Sequence, residues 1–198
     1  GESARLVEGW LLPLALAGSA VAVLGALAAR TLPRLAAWLT VVSVGTVLAG
    51  IGLFSVPGWS AALYYLAQST LLTAALFLLF DLLARQRGAQ LAPAQRLLQP
   101  ALLGTLMLLV SASVVGLPPL PGFLGKLMLL QSAEGASRPW VWTVLLGVGF
   151  LSMLGLARAG SIVFWASAEA GHGDAARARR TRLLVPPPLV GGSVWMGV

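Results

Sequence analysis

Lys126 is the residue whose type and position most suggest chemistry. It is the only lysine in the chain, since the other twelve of the thirteen Lys+Arg are arginines. It stands in the otherwise uncharged run Gly122-Phe123-Leu124-Gly125-Lys126-Leu127-Met128-Leu129-Leu130, eight residues before the polar Glu134. If that run is helical and inside a bilayer, eight residues at 1.5 Å each place Lys126 on the order of 12 Å from the edge. An ionisable group at such depth costs about 2.5–3.5 kcal/mol on insertion scales and marks a functional site by default. The competing reading is a lysine that snorkels to the headgroups, but a stem of ~6 Å falls short of that distance. A lysine kept from bulk water can exchange its proton with a water chain, which suits a proton relay.

Just upstream lies Gly116-Leu117-Pro118-Pro119-Leu120-Pro121-Gly122. Pro118, Pro119 and Pro121 each lack an N–H and clash with a preceding helical turn, so a helix must break there. Irregular backbone at membrane depth is tolerated only inside protein or against a wet cavity, and broken helices recur at transporter ion sites. Carbonyls near Gly116 and Leu117 would then be free to receive water or a cation. A plain surface turn is the alternative, because prolines are ordinary in loops.

A second polar group comprises Tyr64, Tyr65, Gln68, Ser69, Thr70 and Thr73. Tyr65, Ser69 and Thr73 recur every four residues and share one helix face, with Tyr64 and Gln68 on a neighbouring row. Such a face can line a hydrated path for protons or ions. It can equally be polar glue between packed helices. Thr40, Ser43 and Thr46, and Thr105, Ser111 and Ser113, carry the same two readings more weakly. Asp81 and Arg85 have the spacing of an i,i+4 ion pair, while Arg34 and Arg158 read as interfacial anchors. The cluster from Arg177 to Arg182 reads as a tail near anionic lipid.

Other chemistries find no residues. Zero Cys excludes disulfides and thiolate sites, a single His172 excludes most His-based chemistry, and no phosphate loop, paired-Asp cluster, His-Glu metal motif or nucleophile elbow is present. No cofactor and no metal is expected. A net charge of +7 would elsewhere suggest nucleic acid, but these cations sit in short gaps between apolar runs, so no nucleic-acid partner is expected.

The elements that position these groups follow from composition. With 58% hydrophobic and only 10% charged residues in 198, the chain is a multi-pass membrane protein rather than a soluble domain. Residues 10–29, 35–54, 60–80 and 140–157 are uncharged and close to the ~20 residues a spanning helix needs. Residues 97–133, split by the prolines, are either two spans or one interrupted span. Taken as one, they leave ten arginines on one side (30, 34, 85, 87, 96, 158, 177, 179, 180, 182) and two on the other (5, 138). Taken as two, they give six against six. The positive-inside rule favours one interrupted crossing with the ten inside. The eleven residues 123–133 are also too few to cross alone.

The expected architecture is therefore an all-α membrane protein of about five transmembrane helices, one of them interrupted by prolines. Residues 1–9 form an outer segment, 10–165 a membrane domain, and 166–198 an Arg-rich inner tail with a partial final helix. Trp10, Trp38, Trp59, Trp140, Trp142 and Trp165 fall near span ends, as amphipathic rings prefer.

Residues 64–79, followed by Arg85-Gln86-Arg87-Gly88, resemble an antiporter-like membrane component of the Mrp-type multisubunit monovalent cation/proton antiporters. So do 116–126, 35–53 and 158–165. The wider superfamily contains the antiporter-like subunits of respiratory complex I, and the likeness covers about residues 10–165. It implies two inverted five-helix repeats, each with a broken helix, joined by an axis of ionisable residues near the midplane. This chain would supply most of the second repeat, with Lys126 as the terminal proton-exchanging residue, as the carboxy-terminal part of a longer subunit. The family's first repeat is not represented. Gln68 stands where the resemblance implies His in the Mrp branch, and Thr73 where it implies Lys in the complex I branch. Neither residue titrates, so a path through this helix would run on bound water. The implied setting is a hetero-oligomeric complex in a bacterial plasma membrane that handles protons and a monovalent cation such as sodium. A complex I subunit and an inactive structural remnant are the alternatives.

Overall fold

The computed structural model describes the backbone of residues 2–91 and 99–184, and the side chains of 9–86, 88–91 and 99–164. Six α-helices account for most of it: α1 Glu2–Ala28, α2 Leu32–Ile51, α3 Val56–Arg87, α4 Pro100–Val115, α5 Pro121–Gln131 and α6 Arg138–Leu184, with a 3-10 turn at Gly135–Ser137 before the last. Four helical stretches, Gly9–Ala28, Leu32–Ile51, Val56–Gln86 and Gly135–Phe164, are long and apolar enough to cross a bilayer. Pro100–Val115 is a shorter apolar helix.

Prolines open several of these helices. Pro33, Pro57, Pro100 and Pro121 all occupy first-turn positions, where the missing N–H had no intrahelical partner to lose. Ser55 caps α3 by accepting from the Gly58 N–H at 3.1 Å.

The two half-helices form one crossing. α4 contributes Leu103 and Met107 to a cluster with Leu35, Leu79, Leu83, Leu156 and Val163, at the end of the bundle that carries Arg30, Arg85 and Arg158. α5 contributes Leu129 and Leu130 to a second cluster with Leu16, Ala49, Ala61 and Val141 at the opposite end. α4 and α5 therefore lie in series beside α3 and α6. Their 16 and 11 residues give about 40 Å of helix at 1.5 Å per residue, enough for one crossing of a ~30 Å core and not for two. The segment 97–133 exceeds one crossing because the non-helical break between α4 and α5 takes up chain and its last two residues lie past the end of α5.

Two helices outrun their apolar runs. α1 begins at Glu2, not near Trp10, and α6 continues to Leu184. Water satisfies the terminal backbone groups beyond the hydrocarbon, so a helix need not end where hydrophobicity does. Arg96 and the Pro186-Pro187-Pro188 segment lie outside the described residues, and the side chains of Arg177 to Arg182 are not described.

Most hydroxyls on the helices bond back to their own helix: Ser19 to the Ala15 carbonyl, Thr40 to Ala36, Ser43 to Leu39, Thr46 to Val42 and Ser113 to Leu109. Small residues let α1 and α2 approach closely. A methyl group on Gly25 would sit 2.5 Å from the Trp38 ring, and one on Gly45 would strike the Ser19 hydroxyl. Trp38 is thus a packing residue as well as a span-end residue. Trp142 donates its indole N–H to the Leu130 carbonyl at 3.0 Å and lies 5.3 Å under the Arg138 guanidinium, tying α6 to the end of α5.

Candidate functional site: the helix break and Lys126

The break runs from Gly116 to Leu120. Gly116 ends α4 in the left-handed region (φ +86°), a conformation that side chains with a Cβ rarely adopt. The N–H groups of both Gly116 and Leu117 donate to the Ala112 carbonyl, at 3.0 and 2.9 Å, and those of Leu120 and Phe123 donate to Leu117 and Leu120 at 3.0 Å. The three prolines have no N–H to satisfy. The break thereby leaves few orphan donors, which suits backbone away from bulk water.

α5 then crosses the end of α4 at contact distance. Any Cβ on Gly122 would collide with the Ser113 carbonyl oxygen, so glycine is required for the crossing. A helical side chain leans toward the N-terminus of its helix. From the middle of α5, Lys126 consequently reaches back to the last turn of α4, where Nζ donates to the Val114 carbonyl at 3.2 Å and to the Val115 carbonyl. These belong to the orphan carbonyls of a helix C-terminus, which carries the equivalent of about half a negative charge. Glycines make the remaining space. A Cβ on Gly116 would lie 3.0 Å from Lys126 Cδ, and one on Gly149 of α6 would lie 3.7 Å from Nζ.

No carboxylate shares this nook among the described residues. Of the acids whose side chains are described, Asp81 pairs with Arg85 at 2.7 Å and Glu134 lies exposed beyond α5. Among the described residues the lysine is held by backbone dipoles alone. A charge held by dipoles can be discharged without leaving a buried counter-ion stranded.

The polar residues of α3 divide between two neighbours. Tyr64, Tyr65 and Gln68 surround Gly125, the residue before Lys126: a Cβ there would lie 2.9 Å from the Tyr65 ring and 3.4 Å from both the Gln68 amide nitrogen and the Tyr64 ring. Gln68 Oε1 is buried with no hydrogen-bond partner among the described residues. The Tyr65 hydroxyl turns the other way, toward Ser43 and Thr46 of α2. Ser69, Thr70 and Thr73 face the same helix, lining with Thr40 and Ser43 a cavity of about 220 Å³ between α2 and α3. The structure therefore sets Gln68 and the Tyr65 ring against Gly125, next to Lys126 in the chain, and places Ser69 and Thr73 on the α2 seam. Gly149 and Gly125 escaped sequence reasoning. Gly149 lies opposite the cation and Gly125 opposite the aromatic rings of α3, and both relations are visible only after the helices are paired.

The residues from 3 to 154 match the family model "NADH:quinone oxidoreductase/Mrp antiporter, TM". The chain belongs to this family. A protein of Rhizobium meliloti (strain 1021) described as a probable K(+)/H(+) antiporter component is 32% identical over 196 residues, which cover 83% of this chain and 35% of the relative. Among solved structures, a chain of the Mrp complex from Dietzia sp. DQ12-45-1b superposes with a TM-score of 0.74 at 26% identity, covering 79% of this chain and 30% of that one. A chain of respiratory complex I from Thermus thermophilus superposes with a TM-score of 0.68 at 31% identity, covering 82% and 34%. The chain spans about a third of the length of the curated relatives it matches. It is an antiporter-like, multi-pass membrane protein of the kind shared by Mrp antiporters and complex I, and those relatives are subunits of multisubunit membrane assemblies.

Proposed function

We propose that this family member is the proton-translocating second repeat of a subunit in a multisubunit monovalent cation/proton antiporter, and that Lys126 exchanges the proton. The supporting observation is the contact of Lys126 Nζ with the Val114 and Val115 carbonyls at the helix break. With its proton, Lys126 neutralises the end of α4. When the proton leaves, the same carbonyls can take up water or a cation, so the occupancy of the break is linked to the charge on Lys126. Gln68 has its amide nitrogen against Gly125, the residue before Lys126, and a buried oxygen with no partner among the described residues, so it is the group on α3 best suited to bind a water. Pro118, Pro119 and Pro121 keep the helix open, while Tyr65, Ser69 and Thr73 hold α3 to α2 and border the hydroxyl-lined cavity.

Partner subunits are part of this reading. Leu117, Pro118 and Pro119 are exposed on the chain near the middle of a crossing, and irregular backbone at that depth requires protein or water against it. Residues 10–165 would form the membrane domain of this repeat. The Mrp branch is supported by the segments around Gln68-Ser69-Thr70 and Arg85-Gln86-Arg87-Gly88 and by the named K(+)/H(+) antiporter relative.

A complex I antiporter-like subunit is the second reading, favoured by the Thermus thermophilus superposition. The non-titrating Gln68 and Thr73 favour a third, in which the repeat packs without conducting. The test is Lys126→Ala in the assembled complex reconstituted into vesicles. Cation-gradient-driven proton movement should be lost while subunit composition is unchanged. Normal antiport in that variant sinks the role of Lys126, and proton movement that follows only NADH:quinone reduction assigns the complex I branch.

A further inference from the structure

At the arginine-rich end the structure contains a cavity of about 530 Å³ that has no part in the proposed proton chemistry. It lies between the α1–α2 turn, the segment after α3, and α6. Arg30, Thr31, Gln90 and Arg158 supply its polar wall, and Leu91 and Ile162 its apolar one. The site is braced by backbone: the Leu32 N–H donates to the Ala89 carbonyl and the Leu91 N–H to the Arg30 carbonyl, each at 2.9 Å, and Thr31 pairs antiparallel with Gln90. Arg158 spends Nη2 on the Ala29 carbonyl at 2.6 Å, which orients the guanidinium. Its remaining donors have no protein partner among the described residues, and neither does the Arg30 side chain. The lining contains no carboxylate.

Thr31 is the residue before α2, yet its side chain makes no capping bond, so its hydroxyl is also free to the cavity. The positive end of the α2 dipole lies behind it. Two guanidinium groups, a hydroxyl, a side-chain amide and a helix start recognise a tetrahedral oxyanion, and planar guanidinium forks suit phosphate oxygens in particular. The volume falls in the usual range for a small-molecule site and exceeds what an inorganic ion fills. Its depth is that of the headgroups, since the candidate spans Gly9–Ala28 and Leu32–Ile51 end and begin beside it.

We infer that this cavity binds a phosphate group, and that the apolar wall at Leu91 and Ile162 suits the phosphodiester and glycerol of an anionic phospholipid. Basic pockets between spanning helices serve this purpose in general, at about 1 kcal/mol for each cation near the surface. Free inorganic phosphate shares the recognised chemistry, so the test separates the two sources. The assembled complex is equilibrated in nanodiscs of phosphatidylcholine with phosphatidylglycerol, re-extracted, and the retained lipid is counted by native mass spectrometry. In parallel, detergent-solubilised protein free of added lipid is titrated with inorganic phosphate and followed by phosphorus NMR line broadening. Retained phosphatidylglycerol should fall roughly fivefold in Arg30→Gln, the fold-change that ~1 kcal/mol represents, and further in Arg30→Gln with Arg158→Gln. Arg30→Gln breaks no side-chain bond seen within the protein, so it tests the site even if the Arg158 change perturbs folding. Phosphate broadening that vanishes in Arg30→Gln without any lipid retention supports the site with the free ion as its ligand. Equal lipid retention and equal phosphate broadening in wild type and Arg30→Gln overturns the inference.

Discussion

Lys126 and Arg158 do the same local chemistry in two different places. Each is a cation donating to backbone carbonyls at the end of a helix: Lys126 to Val114 and Val115 closing α4, Arg158 to Ala29 just past α1. Arg158 is exposed at the rim of the bundle, where water can replace any bond it loses. Lys126 is half-buried between α4, α5 and α6, at the break in a crossing. At the rim, a charge-assisted bond is a modest staple between elements far apart in sequence. At the break, the same bond occupies a position where a cation is costly and where its loss leaves carbonyls away from bulk water. The chemical group matters less than the medium around it. Arginine, always charged, suits the rim, while lysine, able to give up its proton, suits the break.

The comparison can be broken by experiment. Lys126→Ala should abolish cation-linked proton movement in vesicles, whereas Arg158→Ala should leave it within about twofold, a difference under 0.5 kcal/mol. Equal losses in both would mean that the break is structural. Next in size, Gly122→Ala should destabilise the protein by about 1–3 kcal/mol, since a Cβ there collides with the Ser113 carbonyl and forces the half-helices apart. Thermal melting in detergent checks this, and an unchanged midpoint would refute the close crossing of α4 and α5. Arg158→Ala should cost about 1 kcal/mol in the same assay, the low side of a charge-assisted bond because the group is exposed.

Tyr65→Phe should cost no more than about 0.6 kcal/mol, the average for a polar contact between membrane helices, by removing the hydroxyl that faces Ser43 and Thr46. Tyr64→Phe should leave that polar contact unchanged. Smallest of all is Arg85→Gln. The Asp81–Arg85 pair is 2.7 Å long, but its side chains are 76% and 55% exposed for Arg and Asp respectively, so melting should move by no more than the roughly 0.3–0.5 kcal/mol of a surface i,i+4 pair.

Much of the molecule was legible before its helices were paired. The apolar runs locate the four long helices, because a bilayer admits little else. The arginine asymmetry chose one interrupted crossing over two, and α4 and α5 lie end to end as that choice requires. Lys126 stood out as a lone cation in an apolar run. The division of α3 was not legible. Spacing by four grouped Tyr65, Ser69 and Thr73 on one face, but it could not say that this face meets α2 while Gln68 meets α5. Nor could it say that Tyr65 serves both, with its ring against Gly125 and its hydroxyl toward Ser43 and Thr46.

By itself the sequence determined what each segment must do in a medium without water: which residues must be helical, where a helix must break, and which charge is left inside. Those follow from backbone hydrogen bonding and transfer free energy, which act on each stretch separately. Only the tertiary structure decided what the leftover groups touch. That Lys126 reaches the carbonyls of α4 rather than a carboxylate, that Gly149 makes room for it, and that Arg158 bonds Ala29 across 129 positions of chain depend on how helices cross. Crossing is set by glycines and side-chain volumes on two surfaces at once, and no single stretch of sequence contains both.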